Sequence, residues 1–409
     1  MDLRAYTQQF SRIAMTGLNL RDGQSLAIKA EPEHIETAAA VAEEAYRRGA
    51  RYVELWPESS RLRRARLDYS SEDYLDFVPE HRSHRNQEFI RDRWALLSIK
   101  SPVDLSIMDG VDAARSGRVA RAMQTVDADL RRALSNDETQ WTVMAVPSAQ
   151  WAADVLGRPA GDEALLEMWR ALDPILRLSH EDPAEYWKHH GITLQKRSQA
   201  LDDLAIQSLH FSAPGTDITI PLHATAQWLG GGATTRDGVP FLPNIPTEEV
   251  FTAPYAPGVS GTVTVTRPVR VYGSVVRNAT FTFTEGSVTE FSAEEGQDTL
   301  ETFLAMDAGS RRMGEIALVD SSSPIAQSGL IFQNILLDEN AACHFALGSA
   351  YPTCLRGGDA MNDEQLSSRG ANRSHQHVDF MIGSEEMDIE AVAGDGTVHS
   401  IMQKGRLQL

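Results

Sequence analysis

The rhythm of apolar residues changes midway along this chain, and that change limits the fold more than any single motif. In the first half, short apolar runs suited to buried strands alternate with stretches of helical length. Residues 24–30, 52–56, 94–99 and 141–146 read as strands, the second stopped by Pro57 and the last by Pro147. Between them, residues 33–48 read as a helix ending at Gly49, a residue suited to the left-handed cap position. Residues 72–93 are largely helical with a break near Pro79, and 112–134 are helical again. This order implies βαβ units on a parallel sheet. Residues 161–178 and 183–190 continue as helices. After about residue 200, segments 216–221, 261–266, 269–276, 280–284 and 288–292 are short, closely spaced and alternating, as in an antiparallel sheet. Residues 294–308 read as one helix. The expected architecture is an α/β N-terminal domain with a mainly parallel sheet over residues 1–200. An α+β C-terminal domain with a largely antiparallel sheet, carrying the chemistry, follows over 201–409.

The chemistry is concentrated in the second half. Residues 374–380 read Ser-His-Gln-His-Val-Asp-Phe. Side chains two apart in a strand share a face, so His375, His377 and Asp379 are expected to project together while Val378 and Phe380 turn to the opposite layer. Upstream lie His344 in the apolar run 341–348, Glu315 after Gly314, and Glu248-Glu249 between apolar flanks. Each alone has an ordinary reading: a core histidine, a carboxylate paired with Arg311 or Arg312, a solvated acidic pair. Two adjacent acids in extended chain point in different directions, so at most one of Glu248 and Glu249 is a ligand. Together, two carboxylates, a histidine and a His-x-Asp pair exceed the ligand set of one catalytic zinc. They suit two divalent ions sharing a bridging carboxylate and a bridging water.

Composition narrows the alternatives. The net charge of −19 over 409 residues argues against a nucleic-acid partner, which needs a basic footprint. No run of 18 apolar residues and no secretory h-region occur, so a cytoplasmic protein without a membrane partner is expected. Cys343 and Cys354 cannot form a disulfide framework for a chain of this size, and read as buried thiols in a reducing compartment. There is no G-x-S-x-G elbow, P-loop, H-E-x-x-H helix or C-x-x-C pair. A mononuclear non-haem iron dioxygenase that cleaves an aromatic ring, using His344, His377 and Asp379, is the alternative; such a site would not need Glu249 and Glu315.

The run 244–254, Gly314-Glu315, His344, Ala350-Tyr351-Pro352 and Asn372-x-Ser374-x-x-His377-Val378-Asp379-Phe380-Met381-Ile382-Gly383-Ser384 closely resembles the metallo-aminopeptidase family of the aminopeptidase T and aminopeptidase S type. The resemblance extends over nearly the whole chain. It implies a dimeric, cytoplasmic, two-domain enzyme with two divalent metals that removes amino-terminal residues from peptides with a free N-terminus. Carried over by position, it implies Glu249, Glu315, His344, His377 and Asp379 as metal ligands and Tyr351 as a further site residue. Glu248 matches the neighbouring acid and is the candidate general base; Tyr351 is the candidate donor to the oxyanion. Either Glu315 or Asp379 could bridge the ions. Zn, Co, Mn and Mg all suit mixed nitrogen and oxygen ligation. His375 falls where the family pattern requires no histidine.

Overall fold

A computed structural model describes residues 1–409, the side chain of Ala113 excepted. Contacts divide the chain into two compact units, one formed by residues 1–189 and 232–246, the other by 190–231 and 247–409.

The first unit is built on a five-stranded, wholly parallel sheet. Its strands are Tyr52–Pro57, Ser25–Ala30, Ala95–Ile99, Trp141–Met144 and Asn244–Ile245, in that spatial order. Every residue of Ala95–Ile99 is buried, as a central parallel strand covered on both faces requires. The helix Leu3–Leu18 starts where the Asp2 carboxylate accepts from the Ala5 N–H and stops at Asn19 in the left-handed conformation. Its buried face carries Phe10, Ile13, Ala14 and Leu18, at the spacing of one helical stripe.

The second unit contains two large antiparallel sheets and a two-stranded hairpin, Val269–Val271 with Ser274–Val276, where one strand over 269–276 was expected. The larger has eight strands, with Ile206–Ala213 and Thr216–Pro221 at its centre. The smaller has four, in the order Glu249–Thr252, Met313–Val319, His344–Gly348, His377–Met381. A single aromatic core joins them. Phe281 of the larger sheet lies 5.9 Å from Phe345 and 5.1 Å from Phe380 of the smaller, and Phe345 and Phe380 stack at 5.6 Å. All three are fully buried, and each such pair adds about 0.5–1.5 kcal/mol beyond its buried area. With one face of the four-stranded sheet committed to this core, its polar alternates must emerge on the other face.

Two expectations are corrected by local chemistry. The helix begun at Pro183 does not end at 190 but runs to Asp203, because Gly191 is tolerated within it. The segment 294–308 is helical only over Gln297–Leu304, since Gly296 is left-handed with φ +84°; a separate 3-10 turn, Ala308–Arg311, follows. Among the described residues, no helix is long and apolar enough to cross a membrane.

Candidate metal centre

The register of the four-stranded sheet assembles the site. Directly opposed residues in antiparallel strands share a face. Glu315, Ala346 and Asp379 are opposed across three strands, as are Ala317 with His344 and Gly348 with His377. His344, Ala346 and Gly348 also alternate along one strand, so all these residues project from the same face. The middle strand therefore supplies one histidine and two small residues, and leaves space between the carboxylates on either side. Glu249, opposite Val319, joins from the edge strand.

Two glycines make the arrangement possible. A Cβ on Gly314 would stand 2.3 Å from the Gly348 carbonyl oxygen. That residue sits in a register shift between Met313 and Glu315, a bulge that re-aims the Glu315 side chain. Gly348 has φ +117°, and a Cβ there would stand 2.1 Å from the Gln376 carbonyl oxygen.

Side-chain distances give the site a definite order. His344 Nε2 lies 3.1 Å from Glu249 Oε2 and 3.6 Å from Glu315 Oε1. His377 Nε2 lies 3.7 Å from the other Glu315 oxygen, Oε2, and 3.3 Å from Asp379 Oδ1. Glu315 thus stands between the two histidines, with one oxygen toward each. Glu249, Glu315 and His344 offer ligand atoms that all lie within 4.8 Å of one another. Both histidines are oriented from behind. His344 Nδ1 is 3.2 Å from the Ala342 carbonyl, and His377 Nδ1 is 2.8 Å from that of Ser349. Donation to these carbonyls leaves each Nε2 as the ligating nitrogen.

The electrostatics are those of an anionic hollow. Burial disfavours the charged form of His344, yet Glu249 and Glu315 hold its pKa well above the ordinary value. His377 is pushed up to about 10, burial again opposed by Asp379 and Glu315. Desolvation, with repulsion from Asp379 and Glu249, raises Glu315. Glu249 Oε2 and Asp379 Oδ1 are buried and lack a well-aligned hydrogen bond, even with the histidine Nε2 atoms beside them. Buried carboxylate oxygens without such a bond are costly unless a cation meets them, so the residues present fit divalent metal.

The remaining expected residues lie as follows. Tyr351 precedes a 3-10 turn, Pro352–Cys354, and its ring packs 5.2 Å from His377 and 6.0 Å from Phe251. The residue is 45% exposed, but desolvation of the phenol and the charges of Glu315 and Asp379 raise its pKa well above normal, so the phenol is neutral. Glu248 points its carboxylate to His190, Oε2 to Nε2 at 3.4 Å, and its backbone N–H donates to Asn340 Oδ1 at 2.7 Å. His375 does not share the face of His377: the strand begins only at His377, and His375 is exposed in the preceding bend, its N–H donating to Asp307. The Cys343 thiol faces Val319 and Met402, and burial pushes its pKa to about 11, which makes it inert. Cys354 is likewise buried and free.

Sequence reasoning missed Glu339. It lies in the 3-10 turn Glu339–Ala341, and desolvation, then the charges of Asp379 and Glu249, hold its carboxyl well above the ordinary range. Its place five residues before His344, in the short polar run Asp338-Glu339-Asn340 between Leu337 and Ala341, was the available signal. His190, the partner of Glu248, carried no signal.

Comparison with known proteins agrees with this geometry. The sequence pattern of the thermophilic metalloprotease family M29 matches residues 3–407. The chain is 38% identical over 389 residues to Aminopeptidase 2 of Geobacillus stearothermophilus, covering 95% of this chain and 94% of that one. It is 35% identical over 406 residues to Aminopeptidase T of Thermus aquaticus, covering 98% and 99% respectively. The solved structure of wild-type AmpT from Thermus thermophilus superposes with a TM-score of 0.92 at 34% identity, covering 99% of this chain and all of that one. Nothing in these matches supports the ring-cleaving dioxygenase alternative. The hollow of carboxylates and histidines on the four-stranded sheet thus lies in a member of the M29 metallopeptidase family, and the chain is a metallo-aminopeptidase.

Proposed function

We propose that the second unit is the catalytic one and removes amino-terminal residues from peptides at a centre for two divalent ions. The observation that carries this reading is the placement of Glu315, whose two oxygens each face a different histidine. Glu249 and His344 would hold one ion, His377 and Asp379 the other, and Glu315 would bridge them. Glu339 is positioned to complete the carboxylate set. When bound, such a pair supplies Lewis acidity that polarises the scissile carbonyl and activates a shared water near neutral pH. Zn, Co, Mn and Mg are all compatible with this donor set.

The chain's own groups supply the rest. Glu248, held by His190 and Asn340, is assigned the proton from the attacking water. The neutral Tyr351 phenol donates to the oxyanion formed from the carbonyl. Carboxylates of the site receive the substrate's free α-ammonium, which limits attack to chain ends. The free, buried cysteines accord with a cytoplasmic setting, and a homodimer is part of the same reading.

Metal analysis of the purified protein, paired with free and N-acetylated peptides, tests the proposal. Two ions per chain at full activity and no cleavage of acetylated peptides are expected. Saturation at one iron with dependence on oxygen would restore the dioxygenase reading, and cleavage of blocked peptides would make the enzyme an endopeptidase.

A further inference from the structure

Phe251 and Phe291 stand apart among the strand phenylalanines of the second unit, and Phe251 is the one of the two on the strand that carries Glu249. Phe211, Phe281, Phe283, Phe345 and Phe380 are fully or almost fully buried in the aromatic core, whereas Phe251 is only half-buried. The alternation that points Glu249 into the metal hollow also points Phe251 to that face, and Phe251 lies opposite Ala317, the residue that also pairs with His344. Its ring meets Tyr351 at 6.0 Å, and Tyr351 in turn meets His377 at 5.2 Å. From the catalytic phenol outward, then, the wall of the site changes from charged to aromatic. Behind Phe251 the wall continues apolar. Leu229 exchanges both backbone hydrogen bonds with Phe251 at 2.8 Å, and a separate apolar cluster with Leu355, Met361 and Leu366 packs there. The mechanism uses none of these residues, yet a partly open aromatic ring beside ligating carboxylates needs an occupant.

We infer that Phe251 is the specificity-determining wall for the first side chain of the substrate. With the α-ammonium and the scissile carbonyl held at the carboxylate centre, the side chain between them has to leave it on one side. Phe251 and the apolar cluster behind it offer that side a surface suited to aliphatic and aromatic groups. An acidic side chain placed there would lose hydration without gaining a donor. The enzyme therefore favours leucine or phenylalanine at the amino terminus over alanine, and alanine over glutamate. This inference rests on the aminopeptidase reading and on the proposed metal hollow.

The test is a panel of alanine, leucine, phenylalanine and glutamate chromogenic amides with the parent enzyme and with Phe251→Ala, Phe251→Leu and Phe251→Trp, the metal content of each being measured. Each methylene recognised by an apolar pocket is worth roughly 10–200-fold in kcat/KM. Phe251→Ala should lower the leucine-to-alanine ratio about tenfold or more, chiefly through KM, because the contact is made alike in ground and transition states. Calorimetric binding of free L-leucine should weaken in step while the metal content equals that of the parent. Phe251→Trp should select against the phenylalanine amide relative to alanine, which keeps the inference testable if Phe251→Ala does not fold. Ratios within twofold of the parent in the folded, fully metallated variants would overturn it. A parent enzyme that cleaves no aminoacyl amide would instead remove the aminopeptidase reading beneath it.

Discussion

Replacing Gly348 by alanine probes the support of the metal centre without touching a ligand. Two separate costs arise. The φ of +117° is a conformation that a residue with a Cβ adopts only under strain, at about 1–3 kcal/mol. The added carbon would also stand 2.1 Å from Gln376 O, 2.5 Å from its carbonyl carbon and 3.0 Å from His377 N. All three are backbone atoms, so no flexible side chain can yield. Relief requires the start of the His377 strand to move, and overpacking of this kind costs about 1–3 kcal/mol more. The combined loss of about 2–6 kcal/mol is a large part of the 5–15 kcal/mol typical of a domain, and corresponds to a fall in Tm of roughly 5–20 °C. Gly396→Ala is the internal control. Its φ is +85° but no atom lies within 4 Å of the added carbon, so only the conformational cost of about 1–2 kcal/mol remains. Thermal melts of both variants, with metal analysis of each, read the two costs apart. Gly348→Ala should lose far more stability than Gly396→Ala and hold less metal in the His377 half-site. If the two variants melt together and Gly348→Ala keeps the metal of the parent, the argument that this glycine positions His377 is wrong.

Tyr351→Phe should fold and bind metal normally while kcat falls by about 10²–10³ with little change in KM, as expected for loss of one oxyanion donor; a wild-type rate would reduce the phenol to packing. Glu249→Gln and Asp379→Asn should instead lose metal and activity together, which elemental analysis beside a rate assay distinguishes. His375→Ala should keep its full metal content and most of its activity, since His375 is exposed and only its backbone is engaged; lost metal would make it a ligand. His34, buried in the first unit, has its pKa lowered to about 4 by desolvation, against 6.5 in the unfolded chain. Its neutral form is the one that folds, so this contribution is complete above pH 6.5 and declines as pH falls toward 4, by about 3 kcal/mol in all. Denaturant melts of His34→Phe between pH 7 and 4.5 should show a correspondingly shallower acid loss than the parent, and equal slopes would remove the assignment.

How much of this could be read from the chain alone depends on the range over which each feature is determined. The parallel and antiparallel halves were legible because strand alternation and helix period are local properties. So was the sharing of a face by His377 and Asp379, two residues apart in one strand. The position of His375 was not, because the strand begins only where Gly348 provides a partner for His377, and that pairing lies 29 residues away in sequence. Glu339 was hidden for a similar reason: its turn contributes to the site through contacts that no spacing within the turn announces. Preferring Glu315 to Asp379 for the proposed bridging role likewise needed the folded site. Sequence shows that both are acids near histidines, whereas the side-chain distances show that Glu315 is the one standing between His344 and His377.

The central strand explains why the chemistry sits where it does. The proposed pair of cations, about 3.5–4 Å apart, needs carboxylates close enough to share them, and directly opposed residues on adjacent strands have Cβ atoms about 4.5–5.5 Å apart. Had Glu315 and Asp379 been directly opposed on neighbouring strands, less room would remain between them for cations. Interposing a third strand doubles the separation, and placing Ala346 between them keeps the gap open. The same strand contributes His344 at one end of the gap and Gly348, opposite His377, at the other. On its reverse face, Phe345 and Leu347 anchor it in the aromatic core, so the strand cannot shift to close the hollow. The cost of four mutually repelling carboxylates is thus borne by an apolar core on the opposite side of the same sheet. Substituting a larger residue at Ala346 would fill the gap without altering a ligand or the core. Ala346→Leu should therefore retain the fold by circular dichroism but bind less than one equivalent of metal, and a variant that still binds two ions would show that the gap is not what the ions occupy.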